Sequence, residues 1–295
     1  MRVLLTGASG FVGGACASHL ARRGLEVVGL SRRRPGNSAL AEELQADLGS
    51  PGAAEAIAAA TAPCEAIVHA AASVEIGSDP VELILANCLG TQQALALGRA
   101  WGVRQFVFLS SVPVVGRPTG SPILESHQVA PETPYHATKA FGELLVATEA
   151  AAGHAGVSLR LSAPVGPGMP DDRILPVFVR RAVRDESLRV HGRGTRRQNY
   201  VDVRDVAAAV EGALERDVTG VFNVAGQDAI SNRELAQLCV RELDSHSAVE
   251  LTGDDPEEGL AWEISIEKAA RELGYVPHRS IEDSIHDIAA AIRED

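Results

Sequence analysis

The sequence predicts an α/β protein, a doubly wound parallel sheet carrying a smaller C-terminal substrate lobe, on three observations. Short apolar runs alternate with helical stretches through residues 1–163, a glycine-rich turn joins the first run to the first helix, and a proline- and arginine-dotted segment from 164 breaks the alternation. RVLLT at 2–6 is a short apolar run that meets glycine, and a helical stretch follows at 11–23. EVVGL at 26–30 comes after Gly24, a helix-stop residue. A polar loop leads to a short helix near 38–45, an alanine-rich helix at 52–61 and the strand EAIVHAAA at 65–72. The stretch 80–101 reads as one long helix and QFVFLSS at 105–111 as a strand. A loop at 113–134 then leads to a helix at 135–152 and the strand VSLRLSA at 157–163. Residues 164–198 open the second lobe, 199–224 return to the main sheet, and 225–295 complete the lobe. The expected division is therefore 1–163 plus 199–224 for nucleotide binding, and 164–198 plus 225–295 for substrate.

Composition bounds the function classes. Hydrophobic residues make up 45% of the 295, enough for a sizeable core, and charged residues 22%. A net charge of −12 argues against nucleic-acid and membrane-surface partners, which call for a basic face. The four cysteines, at 16, 64, 88 and 239, have no repeated spacing, which fits buried thiols in a reducing compartment rather than a disulfide frame or zinc site. No signal peptide and no apolar window of about 20 residues is visible, so a soluble, cytoplasmic protein is expected. Basic charge is carried almost wholly by arginine; Lys139 and Lys268 are the only lysines.

The turn between the first strand and first helix reads Thr6-Gly7-Ala8-Ser9-Gly10-Phe11-Val12-Gly13. Gly7 permits the tight turn, Gly10 lets backbone approach a pyrophosphate, and Gly13 lets helix and strand pack closely. The unpaired N–H groups of the helix start add partial positive charge for phosphates. These features mark a Rossmann-type dinucleotide site formed by Gly7, Ser9, Gly10, Phe11, Val12 and Gly13. An acidic residue at the end of the second strand would bind the ribose hydroxyls of NAD. The chain has Leu30-Ser31-Arg32-Arg33-Arg34 instead, and Ser31, Arg32 and Arg33 are expected to hold the 2′-phosphate of NADP(H) in preference to NAD(H). Asp47 and Leu48, in QADL, are placed beside the adenine. Ala70 and Ala71 leave room for the cofactor at a strand end, where the neighbouring His69 is expected to be packed or hydrogen-bonded rather than catalytic.

Tyr135-His136-Ala137-Thr138-Lys139 opens a helix just after Pro134. Four residues make about one helical turn, so the phenol and amine share a face. A nearby ammonium favours phenolate and is expected to draw the tyrosine pKa toward working pH. Such a tyrosine exchanges a proton with an alcohol or carbonyl oxygen while hydride moves at carbon. Ser110-Ser111 closes a strand at its carboxyl end, where a parallel sheet delivers groups to ligands.

TGASGFVG, the HAA at 69–71, NCLGT at 87–91, FLSSVPVVG, YHATK, LRLSAPVGPG and NYVDVRDVA, in this order and spacing, resemble the extended short-chain dehydrogenase/reductases, the NAD-dependent epimerase/dehydratase family. The resemblance covers most of the chain. It implies that Ser111 holds the substrate oxygen, that Tyr135 is the acid/base, and that Lys139 tunes Tyr135 and grips the nicotinamide ribose. It also implies a homodimer formed through the helices around 80–101 and 135–152. Members that dehydrate or decarboxylate carry a carboxylate after the hydroxyl residue; Val112-Pro113 stands there in this chain and speaks against both reactions. Val115 and Val165 replace two tyrosines of the family, which puts an ordinary hexose 4-epimerase substrate in doubt. Arg189, Arg193, Arg196 and Arg197 cluster, and Arg189 and Arg197 are expected to bind a substrate diphosphate, although Arg197 stands one residue before the family position, occupied here by Gln198. The leading expectation is an NADP(H)-dependent reductase of a keto group, the 4-keto group of a nucleotide-linked sugar. The alternatives are a nucleotide-sugar 4-epimerase, a reductase of an unphosphorylated ketone or aldehyde, and a non-catalytic dinucleotide-binding regulator.

Overall fold

The computed structural model describes residues 1–34, 36–74 and 79–294. In chain order the first half comprises β1 (Arg2–Thr6), α1 (Phe11–Arg22), β2 (Glu26–Ser31), β3 (Glu42–Gln45), α2 (Ala53–Ala60) and β4 (Ala66–His69). A helical run follows, made of α3 (Pro80–Leu83), a π-helical segment (Ile84–Leu89) and α4 (Gly90–Trp101). Then come β5 (Gln105–Ser111), a 3₁₀ turn (Val112–Val115), α5 (Pro134–Ala151) and β6 (Gly156–Leu161). The second half holds β7 (Ala163–Val165), α6 (Ile174–Val183), β8 (Leu188–His191), β9 (Arg197–Asp202), α7 (Val203–Glu215) and β10 (Gly220–Val224). It ends with β11 (Ala229–Ser231), α8 (Asn232–Glu242), β12 (Val249–Thr252), α9 (Glu267–Leu273) and α10 (Ile281–Glu294).

Seven parallel strands form the main sheet in the order β10-β6-β5-β4-β1-β2-β3. The chain grows from β1 to one edge through β2 and β3, then restarts at β4 on the other side of β1. The order therefore reverses between β1 and β4, where doubly wound sheets open a crevice at their carboxyl ends. Side chains alternate across the sheet: Val3, Leu5, Val107 and Leu159 enter one core with α1 and α7, whereas Leu4, Ile67, Phe106 and Phe108 enter another with α2, α4 and α5. A third core joins α6, α8 and α10 over β8.

Three elements differ from the sequence expectation. Residues 42–45 form an edge strand, not a helix, because pairing of Glu42 with Val28 through Gln45 with Ser31 overrides the helix propensity of Glu, Leu and Gln. The helix over 80–101 carries a π-helical segment, which turns Asn87 into the interior. Strand β9 does not join the main sheet. It pairs with β7 and β11 in a separate three-stranded sheet, and α7 and β10 make the return.

The glycine turn is fixed by close approach. Gly7 has φ +71°, and a Cβ there would lie 2.7 Å from the Ala71 nitrogen. A Cβ on Gly13 would overlap the Gly7 carbonyl oxygen, whereas one on Gly14 would meet only the Ala8 oxygen at 3.7 Å. Gly13→Ala is accordingly expected to lower stability by about 1–3 kcal/mol, and Gly14→Ala, in the same helix, to raise it by about 0.5–1 kcal/mol. Urea unfolding of both variants reads the contrast; equal effects would remove the close contact as the cause.

Candidate active site

The carboxyl ends of β1, β4 and β5 and the first turns of α1 and α5 face one crevice. At α1 the N-cap is Gly10, with no side-chain cap and no acidic residue in the first turn, so its N–H groups remain free for an anion. The Gly7 N–H donates to the Leu30 carbonyl (2.8 Å) and the Ser9 N–H to the Ser31 hydroxyl (3.0 Å), which ties the turn to the end of β2. A cleft of about 450 Å³ opens here, lined by Ser9, Gly10, Phe11, Asn37, Gly168 and Arg204 among others. Phe11 and Val12 are half-buried and Gly13 is buried. At the carboxyl end of β3, Leu48 is buried, and exposed Asp47 accepts the Gly49 N–H (2.9 Å). Ala70 and Ala71 follow β4, the latter donating its N–H to the Thr6 hydroxyl (3.1 Å). The space, the close backbone and the uncapped helix fit a dinucleotide diphosphate.

Behind the carboxyl ends of β1 and β4 lies a largely buried polar network. The Thr91 hydroxyl donates to the Asn87 carbonyl (2.6 Å), so it must accept from His69 Nε2 (3.1 Å); His69 Nδ1 then accepts from the Thr6 hydroxyl (2.8 Å). Both ring nitrogens are thus committed, and burial, with Lys139 nearby, pushes the imidazole down to about 3. Asn87 accepts the Ser73 N–H (2.7 Å) and donates to the Ser73 carbonyl (3.0 Å) and the Thr138 hydroxyl (2.9 Å). Thr138 in turn donates to the Tyr135 carbonyl (2.7 Å). The carboxyl ends of β1 and β4 are in this way bonded to the first turn of α5.

That turn starts with Thr133, whose hydroxyl accepts the His136 N–H (3.2 Å), and Pro134 at the first helical position. Tyr135 and Lys139 lie on one face, with the Lys139 Nζ 6.0 Å from the centre of the Tyr135 ring. Lys139 is 4% exposed; its Nζ donates to the Leu109 carbonyl (2.7 Å) and lies 4.8 Å over the Phe108 ring. Burial lowers the amine to about 8, against an opposing pull from Glu143. The expected lowering of the tyrosine pKa is not present in this state: burial raises the phenol to about 12. The ammonium is turned to a backbone carbonyl and an aromatic face, and no described hydrogen bond reaches the Tyr135 hydroxyl.

The two serines at the end of β5 are distinct. Ser110 is buried and donates to Glu143 (2.6 Å), whereas Ser111 is half-buried with no described side-chain hydrogen bond and stands at the crevice end of the strand. The following 3₁₀ turn, Val112–Val115, packs its valines into a small apolar cluster with Ile123 and Trp262, and it supplies no carboxylate beside Ser111.

The arginines expected at a diphosphate face carboxylates. Arg189, on β8, is exposed and lies 3.9 Å from Glu250. Arg193 pairs with Glu258 (3.8 Å) and Arg196 with Glu257 (2.6 Å). Arg197 contacts Glu263 (2.9 Å), Glu234 (3.2 Å) and the Ala229 carbonyl. Its neighbour Gln198 lies on the opposite face of β9, because side chains alternate along a strand. Sequence reasoning missed Glu143, Arg160 and the Asn87–Thr91 pair. The last belongs to NCLGT, and the first two are partnered across 17 residues, which no local pattern reveals.

Residues 3–225 match the model of the NAD dependent epimerase/dehydratase family. The chain belongs to this family. It is 26% identical over 304 residues to a dTDP-glucose 4,6-dehydratase of Streptomyces niveus, covering 97% of this chain and 90% of the relative. It is 28% identical over 307 residues to a UDP-glucose 4-epimerase of Streptomyces lividans, covering 95% and 92%. The crystal structure of the Thermus thermophilus UDP-glucose 4-epimerase in complex with NAD superposes with a TM-score of 0.87 at 26% identity, covering 99% of each chain. The protein is thus an enzyme of a nucleotide-sugar epimerase/dehydratase family with the doubly wound parallel sheet of that fold.

The NADP(H) expectation is corrected by these findings: the family is NAD dependent, and the Thermus thermophilus epimerase carries NAD. The sequence misled for a physical reason. Arg32, Arg33 and Arg34 are all exposed, and the buried Ser31 spends its hydroxyl on the Leu30 carbonyl and the Ser9 N–H. A basic loop in solvent looks the same in sequence as a phosphate-binding one.

Because His69 is held below the usual histidine range, an unfolded chain binds a proton below about pH 6.5 that the native site does not accept. Stability is then present in full above pH 6.5 and falls by about 1.4 kcal/mol per pH unit as pH drops from there toward 3. Nitrogen NMR of the His69 ring is expected to show the neutral Nε2–H tautomer, without titration, from pH 8 to pH 5. A titration near 6.5 would break the network described.

Proposed function

We propose that the protein is a nucleotide-sugar 4-epimerase using NAD. The observation that carries this reading is the free Ser111 hydroxyl and the Tyr135–Lys139 turn at one crevice, with an apolar Val112-Pro113 where dehydration or decarboxylation calls for a carboxylate. Likeness to UDP-glucose 4-epimerases from Streptomyces lividans and Thermus thermophilus supports it. The reductase expectation rested on an NADP-type loop and loses its basis with the cofactor correction.

Gly7, Ser9, Gly10 and Gly13 hold the diphosphate of the dinucleotide, and Ala70 and Ala71 leave it room. NAD, when bound, supplies a reversible acceptor for the hydride of the sugar C4–H. Ser111 Oγ orients the sugar O4. Tyr135 Oη takes the proton from O4 as the alcohol becomes a ketone, keeps it while the ring presents its other face, and returns it to O4. A half-buried phenol held up at about 12 gives up its proton only beside positive charge, and the Lys139 ammonium one helical turn away is the chain's own source. Proton and hydride both return to the sugar, so no net redox change remains.

The same reading includes a homodimer. Val81, Ile84 and Leu85 on the helical run and Phe141 and Leu144 on α5 are exposed apolar side chains of adjoining helices, a face suited to a second copy of the chain.

Incubation with NAD and UDP-glucose is expected to give the 4-epimer by NMR, with no lasting absorbance change at 340 nm. Tyr135→Phe is expected to lower kcat by at least about 100-fold while leaving NAD affinity within about 3-fold. Undiminished turnover in that variant would remove Tyr135 from its role, and net consumption of reduced cofactor would exclude the epimerase.

A further inference from the structure

One turn beyond Lys139 on α5, Glu143 is a buried carboxylate with three donors around it. Ser110 Oγ donates to Oε1 (2.6 Å), Arg160 Nε to Oε1 (2.9 Å) and Arg160 Nη2 to Oε2 (2.8 Å). The pair is deep: the side chains of Arg160 and Glu143 are 3% and 8% exposed. Arg160 also donates to the Glu125 carbonyl (3.2 Å), and the Glu125 carboxylate accepts the Asn223 N–H (2.9 Å), so the guanidinium is fixed to the loop preceding Tyr135 and, through Glu125, to β10. Ion pairs this deep cost desolvation that hydrophobic residues avoid, and they are weak evidence for a stabilising role alone.

The surroundings of the Lys139 amine give this pair a use. From β5 it meets the Leu109 carbonyl and the Phe108 ring, from α5 the Tyr135 ring, and from β4 the neutral His69. Of the charged groups packed there, Arg160, on β6, is of like sign. Glu143 is the carboxylate one helical turn away, on the same face. We propose that Glu143 is a positioning residue of this site: it supplies the counter-charge that keeps Lys139 an ammonium, and Arg160 and Ser110 lock its carboxylate in the orientation that does so. Burial draws the amine down, and it reaches about 8 with Glu143 already opposing that fall. Without Glu143 the ammonium is lost at lower pH, and Tyr135 loses its positive neighbour with it.

The inference deepens the epimerase reading, yet its first test needs no turnover. The chain has two lysines, so selective ¹³Cε,¹⁵Nζ-lysine labelling gives two side-chain signals, assigned by Lys268→Arg. In wild type the Lys139 signal should titrate near pH 8. In Glu143→Gln its midpoint should move down by about one pH unit. That variant leaves Arg160 buried without a partner, so the paired replacement Glu143→Leu with Arg160→Met serves where the single change fails to fold. The midpoint should fall there too, because Glu143, the charge that holds the amine up, is removed in that variant as well. An unchanged Lys139 midpoint in either folded variant overturns the proposal. With UDP-glucose and NAD, the alkaline limb of kcat should shift by the same amount with KM within about 3-fold. If the lysine titration moves while no epimer forms in wild type, the epimerase reading fails and the role of Glu143 stands.

Discussion

A lysine amine buried between α5 and the main sheet is the costly feature around which this crevice is arranged. Transfer of an ammonium from water into packed protein is unfavourable unless hydrogen bonds and opposite charge replace its hydration. The chain provides the Leu109 carbonyl, the face of the Phe108 ring and the Glu143 carboxylate, each from an element that also builds the core. Moving α5 away from β5 would lose the Leu109 carbonyl and the Phe108 face together, and would part Glu143 from Ser110 and Arg160. The helix that carries Tyr135 is therefore docked by the same contacts that keep a charge beside it.

The sheet topology supplies the rest. Reversal of strand order between β1 and β4 opens a crevice, and each strand that reaches it contributes one kind of group. From β1 comes the glycine turn, from β4 small alanines, and from β5 a hydroxyl. The π-helical segment adds Asn87, whose amide bonds to both the Ser73 backbone and Thr138. Through the Thr6–His69–Thr91 chain, β1, β4 and α4 are linked in one fully paired network. Fully satisfied buried polar groups rigidify a site, whereas an unpaired one would cost about 1–3 kcal/mol.

What was legible in the sequence was what local spacing encodes. The glycine turn lies where the first strand meets the first helix, and Tyr135 and Lys139 share a face because a helical turn spans about four residues. Ser111 was separable from Ser110 only by resemblance until coordinates showed Ser110 spent on Glu143. What was not legible depended on surroundings. Arg32 and Arg33 carry the same charge whether they face a phosphate or water. Arg197 stands one residue from the expected position, which on a strand sends its side chain to the other face and into contact with Glu263. Residues 42–45 have helix propensity, yet they complete the sheet edge, where Arg2 reaches Glu42 and Glu26. The Glu143–Arg160 pair was invisible because its partners come together only through the α5–β6 packing.

The most direct measurement is a crystal structure with NAD and a UDP-hexose bound. Ser111 Oγ and Tyr135 Oη are expected to lie within about 3.2 Å of the same sugar oxygen, with Lys139 beside the nicotinamide ribose and Glu143 still clasped by Arg160. A nicotinamide ring bound elsewhere, or Tyr135 and Lys139 turned away from it, would contradict the account.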